Sequence, residues 1–131
     1  MKIVITYPPF SEIEGVPLIS QNRQYQVFLE KTVIYPVVPA QAATLLKSNG
    51  FEVKWLDCIA EDISYSQFLQ IIKEEKPDLV VMETKTPVIK HQWRIVDDLK
   101  KLQTTNYELR TVLFGDHVTA LPGESFENSK V

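Results

Sequence analysis

Apolar residues along this chain alternate between two rhythms: short β-branched runs, and longer stretches where they recur every three or four positions. Residues 2–6 (Lys-Ile-Val-Ile-Thr) predict a short buried strand, because β-branched side chains suit a pleated surface. Tyr7-Pro8-Pro9 ends it, since two prolines remove ladder donors and fix an extended turn. Residues 10–35 read as irregular, with a hairpin expected between 25–29 and 32–35, turning at Glu30-Lys31. A connection of that length inside one domain is usually functional or mobile.

From Pro36 the pattern becomes helical: Ala42, Leu45 and Leu46 share one face, and Asn49-Gly50 is a helix stop. Residues 51–56 alternate and end at Asp57, which predicts a second strand. Ser64 then offers an N-cap to an amphipathic helix carrying Tyr65, Phe68, Leu69 and Ile72, broken by Lys76-Pro77-Asp78. Leu79-Val80-Val81-Met82 is the uniformly apolar run expected of a central parallel strand, and it ends in Glu83-Thr84-Lys85-Thr86-Pro87. A helix is predicted over 88–103, with Ile95, Leu99 and Leu102 on one stripe and Trp93 and Val96 beside it. A fourth strand over 109–114 leads to Gly115, and a last helix begins near Pro122-Gly123-Glu124.

Strand and helix in alternation make a parallel sheet with right-handed crossovers. The predicted class is therefore α/β, a flavodoxin-like (Rossmann-like) doubly wound sheet of order 2-1-3-4 lacking its last strand. That order sets the ends of the first and third strands at the switch point where ligands bind. Residues 115–124, from glycine through Asp116, His117 and Thr119 to Glu124, have the make-up of a ligand loop in which glycine admits a flat ligand. An ordinary strand-to-helix turn is the plainer reading. A missing fifth strand also leaves the fourth as an apolar edge, prone to pair with another chain and form a dimer.

Composition narrows the function classes. The 131 residues have room for one domain with a real core, and 44% apolar and 24% charged content argues against disorder. A net charge of −3, with basic residues spread along the chain, argues against a nucleic-acid partner. Cys58 is the lone cysteine, which excludes an internal disulfide and thiolate clusters and points to a reducing cytoplasm. No apolar stretch approaches the roughly 18 residues of a membrane span, and no leader precedes Lys2-Ile3-Val4-Ile5, so a cytoplasmic protein is expected.

Specific chemistries fail on their requirements. The first strand runs into Thr6-Tyr7-Pro8-Pro9-Phe10 with no glycine before Gly15, so the dinucleotide fingerprint is absent and Asp57 reads as a cap or turn residue. A phosphoacceptor receiver requires an acidic pair after the first strand and Asp after the third; Tyr7 and Glu83 stand there. His91 reads as solvated and His117 as a turn residue on the ligand edge, and nothing assembles a triad. A large, mostly uncharged planar ligand remains, held by backbone and by Thr84, Thr86, Gly115 and Thr119.

Tyr7-Pro8-Pro9, the helix over 36–46, Gly50-Phe51-Glu52-Val53 leading to Asp57, Lys76-Pro77-Asp78, and Gly115-Asp116-His117-Val118-Thr119-Ala120-Leu121-Pro122 with Glu124 occur in that order. Together they resemble the N-terminal cobalamin-binding domain of B12-dependent radical SAM proteins, among them the anaerobic magnesium-protoporphyrin ester cyclase and methyltransferase groups. The resemblance spans nearly the whole chain. It implies that residues 1–131 are the cobalamin (B12) module of a longer polypeptide whose C-terminal barrel carries a [4Fe-4S] cluster and S-adenosylmethionine. The barrel's Cys-x3-Cys-x2-Cys is absent, so this chain by itself is not expected to be catalytic. No Asp-x-His-x-x-Gly follows the first strand, so no histidine lower ligand is expected, and Asp116 stands where the family often has a second glycine. Carried over by position, Tyr7 and Pro8 form one wall; Thr84 and Thr86 follow the third strand; Gly115, Asp116, His117, Val118 and Thr119 follow the fourth. Two other expectations compete: a degenerate interaction domain of the same fold that binds no B12, and a receiver or nucleotide-binding module.

Overall fold

The computed structural model describes residues 1–10, 15–19, 26–30, 32–33 and 35–131. In chain order the elements are β1 (Lys2–Tyr7), β2 (Val16–Leu18), β3 (Gln26–Phe28), α1 (Val37–Ser48), β4 (Glu52–Asp57), α2 (Tyr65–Glu75), β5 (Leu79–Thr84), a 3-10 turn (Thr86–Val88), α3 (Ile89–Lys100), β6 (Arg110–Gly115), α4 (Asp116–Ala120) and α5 (Pro122–Asn128). The four long strands form one parallel sheet of order β4-β1-β5-β6, the flavodoxin-like arrangement. β1 is its axis: Ile3 registers with Val53 on one side and Leu79 on the other, and Ile5 with Trp55 and Val81. Among the described residues no strand lies beyond β6.

Alternation within the strands divides the core. Val4, Leu56, Val80 and Met82 join Phe68 and Ile72 of α2 and Ile95, Val96 and Leu99 of α3 in one buried cluster. Each such side chain, fully removed from water, contributes roughly 1.5–3 kcal/mol of transfer free energy. α2 begins where its sequence signal lies: Ser64 accepts from the Gln67 N–H while Gln67 reaches back to the Ser64 N–H, a reciprocal capping box. Lys76, at φ 45°, turns the chain out of α2 in a left-handed cap.

Four expectations are revised. Gln26–Phe28 pairs backwards with Val16–Leu18, so the hairpin precedes the place expected; Thr32, Val33 and Tyr35 are in no strand, and residues 25, 31 and 34 of the expected pairing lie outside the described residues. Gly15, at φ 96° just before β2, admits the close approach of β3, since a Cβ there would sit 2.6 Å from the Phe28 carbonyl oxygen. α1 forms as predicted, with Pro39 harmless in the first turn, but its apolar face is not a core face: Leu45 is 64% exposed and Ala42 is exposed too. The helix expected over 88–103 ends at Lys100, where the Lys100 and Gln103 side chains both donate to the Leu109 carbonyl. The residues after Gly115 are not a loop; they wind into α4 and α5. Among the described residues, no helix is long and apolar enough to cross a membrane.

Charges close the amino-terminal end of the sheet. Lys2 Nζ lies 2.6 Å from Glu75 and 3.3 Å from Glu52, and Lys54 also reaches Glu75. Hydrogen bonds from Lys2 and then Lys54 hold the Glu75 carboxyl at about 2, against an ordinary 4.5. A depressed carboxylate stabilises the fold fully above its unfolded value, and that contribution fades as pH falls from 4.5 towards 2. Glu75 is about a quarter exposed, so solvent screens the pair. Glu75→Gln is expected to cost less than about 1 kcal/mol in urea unfolding at pH 7, with the difference shrinking as pH is lowered through that window.

Candidate functional site at the carboxyl edge of the sheet

From β1 the chain crosses to β4 on one side, then returns through β5 to β6 on the other. The switch point therefore falls between β1 and β5, where Tyr7 meets Glu83. The Tyr7 hydroxyl donates to Glu83 Oε2 at 2.5 Å. Lys85 Nζ lies 3.6 Å from Glu83 Oε1 and 2.8 Å from Asp116 Oδ2. Glu83 and Lys85 are both buried. Taking either charge out of water costs several kcal/mol, which mutual attraction and hydrogen bonds must offset. Gln92 of α3 adds a 2.6 Å bond from Nε2 to the Glu83 carbonyl, and Thr84 Oγ1 donates to the Phe114 carbonyl at 2.8 Å.

Glu83 and Lys85 stand in the stretch that the sequence places at this edge but are not among the expected binding residues, and Gln92 is not in that stretch at all. The signal was there for two of them. Opposite charges two positions apart on an extended strand share a face, and Glu83 and Lys85 directly follow the run Leu79-Val80-Val81-Met82. Gln92 left no such trace, because its partner is a backbone carbonyl on another element.

Gly115 has φ 113° and ψ −167°, a region nearly closed to side-chain-bearing residues. A Cβ there would stand 2.6 Å from the Thr84 carbonyl oxygen and 3.1 Å from the Thr84 nitrogen. The glycine thus serves the approach of β6 to β5, and the room expected for a flat ligand is taken by Thr84. Thr119 Oγ1 donates back to the Gly115 carbonyl at 2.8 Å. His117 turns inward: Nδ1 is 3.3 Å from Thr86 Oγ1, and its ring stands edge-on to Trp93 at 5.8 Å. Its Nε2 lies 3.5 Å from a Glu124 carboxylate oxygen, a charge contact at most, because no aligned hydrogen bond forms there. Trp93 completes the junction of α3 and α5 by donating to Ser125 Oγ at 3.0 Å.

His91, expected to be solvated, lies against Phe10 at 4.9 Å with Nε2 3.2 Å from the Pro9 carbonyl, and so pins the exit from β1. Asp57 is the turn residue foreseen, accepting from the N–H groups of Ile59 and Ala60 at 3.2 and 3.0 Å. Beside it a hollow of about 330 Å³ is lined in part by Tyr35, Pro36, Trp55, Asp57 and Glu61. Trp55 also stands edge-on to Tyr7 at 5.4 Å, which joins the hollow to the switch point. Burial pushes the Cys58 thiol up to about 12, so it remains a thiol and is no nucleophile.

The predicted residues thus converge on one edge but divide by depth. Thr86, Asp116 and Thr119 are exposed on the rim; Gly115 and Val118 are half-buried; Tyr7, Pro8, Thr84 and His117 lie beneath. No group of three or more His, Cys, Asp or Glu residues able to hold a metal ion occurs among the described residues.

Two substitutions probe this construction. Gly115→Ala is expected to lower stability by roughly 1–3 kcal/mol from backbone strain alone, read from the urea midpoint. Lys85→Met leaves the Glu83 carboxylate buried without its cation and is expected to cost about 3–5 kcal/mol. Adding Glu83→Gln to Lys85→Met should recover part of that loss. Comparison with protein-family models, curated proteins and solved structures finds no match to this chain, so a functional reading rests on its own residues.

Proposed function

We propose that this chain is a cobalamin-binding module serving the barrel of a B12-dependent radical SAM protein. The corrin lies across the carboxyl ends of β1, β5 and β6 without a histidine lower ligand. One observation carries the reading: the strand order gathers exposed Asp116 and Thr119, on which the resemblance rests, on the same edge as the Tyr7-Pro8-Pro9 wall and beside exposed Thr86, carried over by position. A corrin is broad, largely apolar on its faces and rimmed by amides, so it calls for apolar walls and scattered hydroxyl or carboxylate partners. The rim residues supply the polar partners, and the hollow beside Trp55 and Tyr35, on the β4 side of Tyr7, supplies apolar surface. The inward ring of His117 agrees with a cobalt that takes no imidazole from this chain. Bound cobalamin supplies a cobalt centre that carries a methyl group or relays a radical; this chain's residues hold and orient it.

A second reading has an observation in its favour. The Lys85 bridge to Glu83 and Asp116, with the Thr84 carbonyl in the Gly115 slot, fills the gap between β5 and β6 with the chain's own groups. That suits a domain of the same fold that docks a protein and binds no B12. Titration with hydroxocobalamin separates the two. The expected result is a saturable change in corrin absorbance, weakened about tenfold or more by Thr86→Trp, a loss of roughly 1.4 kcal/mol. Thr86 is exposed, so this variant should keep its circular dichroism, whereas Gly115 is unsuitable because its replacement disturbs the strands. No spectral change at several hundred micromolar protein would leave the docking reading in possession.

A further inference from the structure

We infer that β6 is a self-recognition edge, pairing antiparallel with β6 of a second copy about a two-fold axis through Val112. β6 has β5 as its sole neighbour among the described residues. The Arg110 N–H bonds the Asp78 carbonyl, so Arg110, Val112 and Phe114 direct their backbone groups at β5. Thr111 and Leu113 therefore direct theirs outward. An outward row of N–H and C=O groups at strand spacing is matched by another extended backbone and by little else.

The two edges of the sheet differ. β4, at the far side, carries Glu52, Lys54 and Asp57, and charges of this kind blunt an edge against pairing. β6 carries no charge from Thr111 to Gly115, and Val112 is 43% exposed. Along the same edge run two hollows of about 340 and 490 Å³ that share Thr111, Val112 and Val131. Phe126, 73% exposed, stands at the first of them. Thr111 Oγ1 is out of contact with water and has no hydrogen-bond partner.

The strand is complementary to itself in one register. With the axis at Val112, Thr111 lies opposite the partner's Leu113 and exchanges both backbone hydrogen bonds with it; symmetry doubles this. Val112 meets the partner's Val112, a β-branched cross-strand pair. Arg110 falls opposite the partner's Phe114, cation against aromatic ring, so no like charges face one another. The pairing is isologous and closes after two copies, leaving the charged β4 strands outermost. It requires no ligand and stands independently of the cobalamin reading.

The test uses the whole chain. Sedimentation should show a dimer, and Val112→Lys, which sets two ammonium groups on the axis, should weaken it at least tenfold without changing the circular dichroism. Under mild oxidation Val112→Cys should cross-link as a dimer, since a non-hydrogen-bonded antiparallel pair brings Cα atoms to about 4.5 Å. Arg110→Cys should not, because in this register its copies are on the order of 13 Å apart along the strands. Cys58 is buried and does not compete. A monomer at several hundred micromolar overturns the proposal, and in that case slow exchange of the Thr111 and Leu113 amides would mean that the chain covers its own edge. Equal cross-linking of both cysteine variants overturns the register, and open-ended aggregation overturns the closed pair.

Discussion

Burial of β1 on both faces and both edges is the constraint from which the rest of the molecule follows. A strand with β4 on one side and β5 on the other has nearly every side chain out of water, so its sequence must be apolar throughout; Ile3, Val4 and Ile5 are. Once β1 is central, the crossovers leave it in opposite directions, and right-handedness puts helices on both faces. The switch point beside Tyr7 is then unavoidable. The residues at the carboxyl edge inherit their proximity from this central strand, Lys2–Tyr7.

Two forces compete at that edge. Strand ends leave backbone groups and polar side chains to be satisfied, and the chain satisfies many of them internally: Tyr7 on Glu83, Lys85 on Glu83 and Asp116, Gln92 on the Glu83 carbonyl. What remains outward on the rim is Thr86, Asp116 and Thr119. Gly115 shows how close the balance is. The same residue type that admits a ligand's approach also admits a neighbouring strand, and here the neighbour is Thr84. His117 went the same way, drawn under α4 by Trp93, Thr86 and Glu124.

The exposed faces have a physical account as well. α1 carries Val37, Val38 and Leu45 exposed on its outer side and packs its other side, with Pro39 buried, near β4, the packing on which a helix this short depends. β6 differs in kind: among the described residues its outward Thr111 and Leu113 backbone groups meet no further strand, and backbone is directional where an apolar face is not. That directionality is what allows a partner to be read from β6 and not from α1.

Periodicity by itself determined the four parallel strands and the α2 and α3 stripes, because these depend on local spacing and on handedness that every chain shares; the flavodoxin-like order, one of a handful those rules allow, was settled by the tertiary structure. Local sequence also determined the end of α2 and the turn at Asp57, where the cap residues act within a few positions of themselves. Tertiary structure alone decided the rest. β3 lies close against β2 because Gly15 has no Cβ to meet the Phe28 carbonyl; Leu45 faces outward because, among the described residues, nothing covers that side of α1; His117 and Lys85 are buried because groups 31 residues away in sequence awaited them. A hydrogen bond between distant side chains leaves no period in the sequence, and which way a loop residue turns depends on partners that only folding brings near.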